Sequence, residues 1–463
     1  MKIVSTNPAD NYKVIGEVDM STTKEIRDKV ASAQKARLGW KAIGVEGRIK
    51  LLQPIRDELM KQVSELSKLI SEETGKPIAE STSEVERYID NDIDWFLDNG
   101  AQALADQITL QDDQSLHRII YEPYGVAAAI APWNYPFGMF VWGVFPNLIA
   151  GNCVIFKTSE ECALVGKLIE SIMQKQNLPD GVFSVVHGSG DVGEELSNSD
   201  INLLWFTGST RTGKHLYKIA GDKFIRAVME MGGSNPCVVF EDVDIPRAAS
   251  IIYGGRFGHN GQVCTSIKRL IVDGSVENQI INELKTIMLG KKIGDPLDPK
   301  TDHGSLVAKR QLDLLEDQVE DALTKGAEIV AQAALPTNLK GAFFPPTLLT
   351  GITKDMRVWK EEVFGPVLPI ISFNDEAQAI RMANDTSYGL GARVMSEDVE
   401  RAERVAAQID AGSIHLTYEN RWVRANPFGG YKNSGMGREH GFEGFREISQ
   451  IKVIQKSLPS TDD

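Results

Sequence analysis

Cysteine is scarce, with four in 463 residues. That excludes a disulfide-built scaffold and predicts free thiols in a reducing, cytoplasmic setting. The four Cys and seven His show no Cys-x-x-Cys, His-x-x-x-His or His-Glu-x-x-His spacing, so no metal site is expected. No Gly-x-Ser-x-Gly occurs, which leaves a serine-hydrolase elbow unsupported. Positive charge is in deficit: 50 Lys and Arg against 64 Asp and Glu give a net charge of −14. A duplex nucleic-acid partner is therefore excluded, because neutralising phosphates takes Lys and Arg. A small anionic ligand is not, since a few backbone N–H groups can hold one. The first twenty residues lack the apolar core of a secretory signal.

Charge is missing altogether from residues 123–156, a stretch long enough to suggest a membrane helix. Pro132, Pro136 and Pro146 would break such a helix, so the stretch is predicted to be strand, loop and buried helix, with no membrane association. With 42% hydrophobic residues, 41 Gly and 19 Pro, the chain is neither disordered nor fibrous. Its length predicts two to four domains.

Residues 22–40 and 46–70 read as amphipathic helices; Ile49, Leu52, Ile55, Leu59, Val63 and Leu66 recur at helical spacing. Residues 80–105 continue helically. From 117 onward strands begin, and 126–130 is a continuous apolar run of the kind a fully buried strand shows. Strands at 154–157, 182–186 and 203–206 then alternate with helices at 163–176, 193–197 and 213–219, which implies βαβ units and parallel sheet. After Met229 the pattern restarts: strands at 236–240, 269–272, 328–331 and 367–373, helices at 245–257, 276–288, 309–325 and 375–384. A boundary is placed near 230. A late strand at 448–456 would pair with another element or another subunit, and 457–463 reads as a loose tail.

Several short segments can carry chemistry. Gly188-Ser-Gly190-Asp-Val-Gly193 follows a strand and opens a helix, where glycines let a pyrophosphate approach backbone N–H groups. The acidic ribose ligand usual about 20 residues later is absent, so a plain Gly-rich turn is the other reading. Phe206-Thr-Gly208-Ser209-Thr210 is a second strand–turn–helix junction, with hydroxyls able to cap or to bind phosphate. Cys264 stands in a small, polar context (GQVCTS), unlike Cys153 and Cys237, which sit in apolar strand runs; Cys162 shows no role. A nucleophile needs access and thiolate stabilisation, and Cys264 is the thiol placed for both. Glu230 lies between Met229 and Met231 and before Gly232-Gly233, an apolar setting that raises a carboxyl toward general-base use; a capping or salt-bridged role is the alternative. Glu361-Glu362, ahead of Val-Phe-Gly-Pro, either bind ribose hydroxyls or are solvated. Asn134, among aromatics after a buried strand, must hydrogen-bond either a structural partner or a substrate oxygen.

Taken together, PWNYPF, FTGST, MEMGGSNP, GQVCTS, EEVFGPV and NPFGGYKNSGMGRE resemble the NAD(P)-dependent aldehyde dehydrogenase superfamily, in order and spacing, over nearly the whole chain. The resemblance implies an α/β fold of two Rossmann-like doubly wound domains plus a small β bridging element. Residues 1–103 and 124–230 would bind cofactor, 231–425 would be catalytic, and 104–123 with 446–463 would bridge subunits of a homodimer or homotetramer. It assigns Cys264 as nucleophile, Glu230 as general base, and Asn134, with the Cys264 N–H, as oxyanion donor. Lys157 and Glu160 match the adenosine-ribose contacts. Trp133 and Ser209 match the pyrophosphate region together with Phe206 and Gly208, so that Gly190 and Gly193 are in part coincidental. Glu362 and Phe364 match the nicotinamide-ribose and ring contacts.

The implied reaction is NAD-dependent oxidation of an aldehyde to its acid through a thiohemiacetal and thioester. Glu160 favours NAD, because a carboxylate repels a 2′-phosphate, with NADP the alternative. Release as a coenzyme A thioester is a competing outcome that Glu230 argues against. Relatives acting on succinate semialdehyde carry an Arg on the helix after PWN, where this chain has Trp142. Tyr135, Trp142, Trp422 and Phe428 would line an aromatic tunnel suited to a neutral aliphatic or aromatic aldehyde. Arg421 and Arg424 keep a carboxylate-bearing aldehyde open.

Overall fold

The computed structural model describes residues 1–459; the end of the expected bridging segment and tail, 460–463, lies outside the described residues. Two parallel-rich sheets form its frame. The first runs in the order Phe183–Val186, Cys153–Lys157, Val126–Ile130, Leu203–Thr207, Arg226–Glu230 and Gly435–Met436. Its first five strands are parallel, and only Gly435–Met436 runs against them. Chain order steps outward from Val126–Ile130 in one direction and then in the other. Such a reversal opens a crevice beyond the strands' carboxyl ends, where doubly wound sheets bind ligands.

The second sheet has seven strands: Glu328–Gln332, Thr347–Thr350, Val367–Phe373, Ile267–Asp273, Asn235–Val239, Gly391–Met395 and Ser413–Leu416. All pairings are parallel except the first. Asn235–Val239 follows Arg226–Glu230 after only four residues. The carboxyl edge of the first sheet therefore faces the amino edge of the second, and the loops of both edges share one cleft.

The charge-free stretch resolves as foreseen. Val126–Ile130 and Cys153–Lys157 are buried central strands, and Pro136–Ala150 is a helix with every residue but Trp142 buried. Among the described residues no helix is long and apolar enough to cross a membrane. Two helical readings need correction. The run at 46–70 is two helices, Val45–Lys61 and Val63–Thr74, meeting at Gln62. The run at 80–105 is Ile78–Arg87 and Asp94–Ala103 joined by a π-helical turn, Tyr88–Ile93, which turns Asp92 inward. The strand Ser449–Ser457 pairs with Ser115–Pro123, and that strand with Gln107–Gln111, making a separate three-stranded antiparallel sheet.

Gly435 ties a late segment of the chain to the last parallel strand of the first sheet at the cleft. It pairs with Glu230 at φ +145°, and a Cβ there would lie 2.0 Å from the Met229 carbonyl oxygen. Gly435→Ala must push this strand off the Glu230 edge. A loss of about 2–3 kcal/mol in unfolding free energy is expected, read as a lower urea midpoint at unchanged slope.

Candidate active site

The loop carrying Cys264 is held from three sides. After the helix Ile245–Phe257 the backbone turns left-handed at His259, Asn260 and Gly261 (φ 47°, 52° and 71°). Only glycine fits the last position, where a Cβ would sit 2.4 Å from the Gly365 oxygen. Asn235 then clamps the loop from the second sheet: its Nδ2 donates to the carbonyls of Cys264 (2.7 Å) and Ser266 (2.9 Å). Asn134 reaches across from the first sheet, its Nδ2 donating to the Gln262 carbonyl at 2.9 Å. Cys264 is half-buried, whereas Cys153, Cys162 and Cys237 are buried. Its sulfur is nevertheless poorly solvated. Burial pushes the thiol up to about 12, Glu362 and Glu230 add to the shift, and Lys268 and the Thr265 N–H oppose it.

Glu230 ends its strand only 3% exposed, and neither carboxylate oxygen has a protein hydrogen-bond partner. Burial raises its pKa well above the usual range; the neighbouring Glu439 adds to this and Arg438 opposes it. Glu439 is raised too, by burial. Burial in apolar surroundings disfavours the charged form of both carboxyls, which is the setting in which a carboxylate takes up a proton from water readily.

Beyond the carboxyl edge of the first sheet the other expected residues line one wall. Lys157 is buried, its ammonium pKa lowered by desolvation, with Glu160 3.6 Å away. Gly193 faces the Lys157 chain, while Gly190 opens to free space. Gly208 donates its N–H to the Glu230 carbonyl, and Ser209 caps the helix Thr210–Asp222 by accepting from the Thr212 N–H. A Cβ on Gly208 would meet the Phe206 ring at 2.5 Å, so the turn keeps this helix N-terminus bare toward the crevice. Opposite, Glu362 Oε1 accepts from the Gly233 N–H (3.1 Å) and the Lys268 ammonium (3.0 Å). The Phe364 ring lies beneath that ammonium at 4.5 Å and meets Trp133 edge-on at 5.5 Å. Glu361 does not join Glu362 here, because Arg357 and Gln318 bind its carboxylate; the arrangement gathers a thiol, a buried carboxyl and an amide beside a helix N-terminus and the Glu362 carboxylate.

Residues 1–454 match the model of the aldehyde dehydrogenase family. The chain belongs to that family. A peroxisomal aminoaldehyde dehydrogenase 2 of Pisum sativum is 34% identical over 99% of this chain and 93% of its own. A glutarate-semialdehyde dehydrogenase of Pseudomonas aeruginosa is 33% identical over 97% and 92%. Among solved structures, an NAD-dependent aldehyde dehydrogenase from Sinorhizobium meliloti superposes with TM-score 0.94 at 32% identity, covering 99% of this chain and 92% of the other. As an aldehyde dehydrogenase the chain is an NAD(P)-dependent aldehyde oxidoreductase on two Rossmann-like domains.

At the far end of this aldehyde dehydrogenase site an aromatic box stands on the helix Pro136–Ala150. Trp142 stacks on Trp422 (5.9 Å, 9°), Phe428 packs against both, and Tyr88 bridges Trp142 to Tyr135. Tyr88 escaped the sequence reading because it sits in the π-helical turn, off the helical register. Asn235, Lys268 and Glu439 escaped as well. Each is a lone polar residue in a short motif, and only the packed fold brings it to Cys264 or Glu230.

A thiol pushed up to about 12 has a thiolate fraction that grows tenfold per pH unit through the neutral range. Alkylation of Cys264 by iodoacetamide, without cofactor, should therefore accelerate about tenfold per unit from pH 7 to 9. A plateau below pH 8.5 would contradict this.

Proposed function

We propose that the enzyme oxidises a neutral aliphatic or aromatic aldehyde to its carboxylic acid, with NAD as preferred cofactor and Cys264 as nucleophile. The supporting observation is the state of the two arginines. Arg424 forms an ion pair with the buried Asp92 at 3.0 Å, and Asp92 also accepts from Trp142 Nε1 at 2.9 Å. Arg421 is bound at 2.9 Å by Glu419 on the exposed loop. Neither cation is left to receive a substrate carboxylate, and Tyr135, Trp142, Trp422 and Phe428 present only aromatic surface. An aromatic box also accepts a cation through its ring faces, so an aminoaldehyde, the substrate class in the name of the Pisum relative, is the second reading.

The Cys264 thiol loses its proton to solvent water, its sulfur attacks the aldehyde carbon, and the carbonyl electron pair moves to oxygen. Asn134 Nδ2 and the Cys264 backbone N–H donate to that oxygen; losing one such donor costs about 10²–10³ in rate. Bound nicotinamide supplies the hydride acceptor. Glu230 takes a proton from water, whose oxygen adds to the resulting Cys264 thioester, and the thiolate leaves as the acid forms. Lys157 and Glu160 would hold the adenosine ribose, and Glu160 would repel a 2′-phosphate. Trp133, Phe206, Gly208 and Ser209, with Gly190 and Gly193, would form the pyrophosphate wall, and Glu362 and Phe364 the nicotinamide end.

Assembly as a homodimer or homotetramer is supported by the three-stranded sheet, whose two outer strands expose apolar side chains, Ile451 and Val453 on one and Ile108 on the other. Solution scattering should give a mass of two or four times 51.0 kDa. A cytoplasmic location fits the four unpaired thiols.

NADH absorbance over a panel of aldehydes tests the substrate reading. Hexanal or benzaldehyde should exceed succinate semialdehyde in kcat/KM by tenfold or more; the semialdehyde winning by 100-fold would reverse it. Cys264→Ala should abolish NADH formation. Glu230→Gln should leave a first-turnover burst and slow the steady state at least 100-fold. A higher kcat/KM with NADP than with NAD would defeat the cofactor preference.

A further inference from the structure

A buried ammonium lies behind the oxyanion amide, and none of the chemistry above uses it. Lys76 is 1% exposed and follows Gly75, which has φ +74° and contacts Ser305 across the cleft. Its Nζ donates to the backbone carbonyl of Asn134 at 2.8 Å and forms a fully buried ion pair with Glu84. The same Nζ stands 3.9 Å over the ring of Tyr135. Glu84 continues the chain of contacts: its Oε1 accepts from the N–H groups of Phe137 and Gly138, both at 3.1 Å, in the first turn of the helix Pro136–Ala150. One turn earlier on the Glu84 helix, Glu80 accepts from the His259 N–H at 2.8 Å, on the left-handed turn leading to Cys264.

Buried charges of this kind are costly unless every partner is in place, and removing one partner leaves the other uncompensated. Here the Lys76–Glu84 pair bonds the segment that carries the oxyanion amide, and Glu80, one turn earlier on the same helix, bonds the turn that leads to the nucleophile. We propose that Lys76, with Glu84, is a positioning clamp that fixes the Asn134 segment to the helix whose Glu80 holds the turn before Cys264, so that the amide donor meets the oxyanion as it forms. Lys76 touches no reacting atom. It acts by holding the Asn134 carbonyl, the Tyr135 ring and, through Glu84, the helix start in one geometry. A donor displaced by about 1 Å forfeits much of its effect, because oxyanion stabilisation depends on donors placed in advance.

The inference rests on the assignment of Asn134 as oxyanion donor and Cys264 as nucleophile, and two reactions of Cys264 separate the clamp from that assignment. In hydrolysis of 4-nitrophenyl acetate the sulfur adds to the acetyl carbon, an oxyanion forms, and 4-nitrophenolate leaves. Water then cleaves the acetyl-enzyme. In alkylation by iodoacetamide the sulfur displaces iodide and no oxyanion arises. Lys76→Met with Glu84→Gln removes both charges and keeps an acceptor for the Phe137 and Gly138 N–H groups. In this variant ester hydrolysis and aldehyde oxidation should fall together by 30-fold or more. Alkylation and the KM for NAD should stay within threefold. Lys76→Gln, which keeps a donor of similar reach, is read the same way should the double variant not fold, with a loss of at least threefold in the ratio of hydrolysis to alkylation. An unchanged ratio in the folded variant overturns the clamp, and so does alkylation falling as far as hydrolysis. If native protein loses neither reaction on Asn134→Ala and Cys264→Ala, the site assignment itself fails instead.

Discussion

The constraint on which the site depends is the passage of the chain from one sheet to the other through Gly232 and Gly233. A Cβ on Gly232 would lie 2.2 Å from Glu362 Oε2, and one on Gly233 would lie 3.0 Å from the Cys264 carbonyl oxygen. A side chain at Gly232 would displace the Glu362 carboxylate, and one at Gly233 would crowd Asn235 and the Cys264 loop. Because the backbone is bare there, the Glu362 carboxylate can press against the crossover and accept the Gly233 N–H. The Cys264 loop closes on it from the other side. Glu230, at the end of the preceding strand, is thereby fixed only two residues from the contact. The acid–base group, the expected ribose carboxylate and the thiol owe their proximity to one pair of missing Cβ atoms rather than to any direct bond among them.

Such proximity concentrates ionisable groups where water is scarce, and the electrostatics follow from that. Burial lowers the Lys268 ammonium to about 8 and the Arg256 guanidinium to about 9, while it raises Glu230, Glu439 and Cys264. Every one of these shifts favours the neutral form. Lys268 and Glu362 lean on each other, and Arg256 is spent on the backbone: it donates to the carbonyls of Val363 and Val367 and to Ser266. Burial thus works against charge on the thiol and on both carboxyls alike. A fixed cationic group arriving with the cofactor would move the balance toward thiolate without any rearrangement of the protein.

The central strands and the one thiol that is not buried were legible in the sequence for simple physical reasons. Residues 126–130 and 153–157 are apolar on both faces, as strands covered by helices on both sides must be. Cys264 differs from Cys153 and Cys237 because a reactive thiol needs small polar neighbours and a packed one does not. Other elements were not legible. The strand Gly391–Met395 carries Arg393, whose guanidinium bonds the Thr417 and Glu419 carbonyls, and a buried Arg breaks the apolar pattern that marks a strand. The division at Gln62 leaves no proline or glycine as a marker; it shows only in the packing of two helices against different neighbours. Lys268, Glu439 and Asn235 matter through partners far away in sequence, and no local pattern encodes a distant partner.

The substrate end illustrates how pairing decides meaning. A reading of the sequence counts Arg421 and Arg424 as two cations near an aromatic tunnel. In the folded chain Arg424 is claimed by Asp92, which the π-helical turn Tyr88–Ile93 directs inward, and Arg424 also donates to the Trp422 carbonyl at 2.8 Å. The ion pair thus braces the very loop that carries the tunnel's aromatic wall. Trp142 shares the same carboxylate through its indole N–H. One buried Asp orients both tryptophans, and its charge is balanced before any substrate arrives. Under the proposed substrate reading, a carboxylate entering here would have to break the ion pair that holds the wall in place, whereas an uncharged chain would leave it intact.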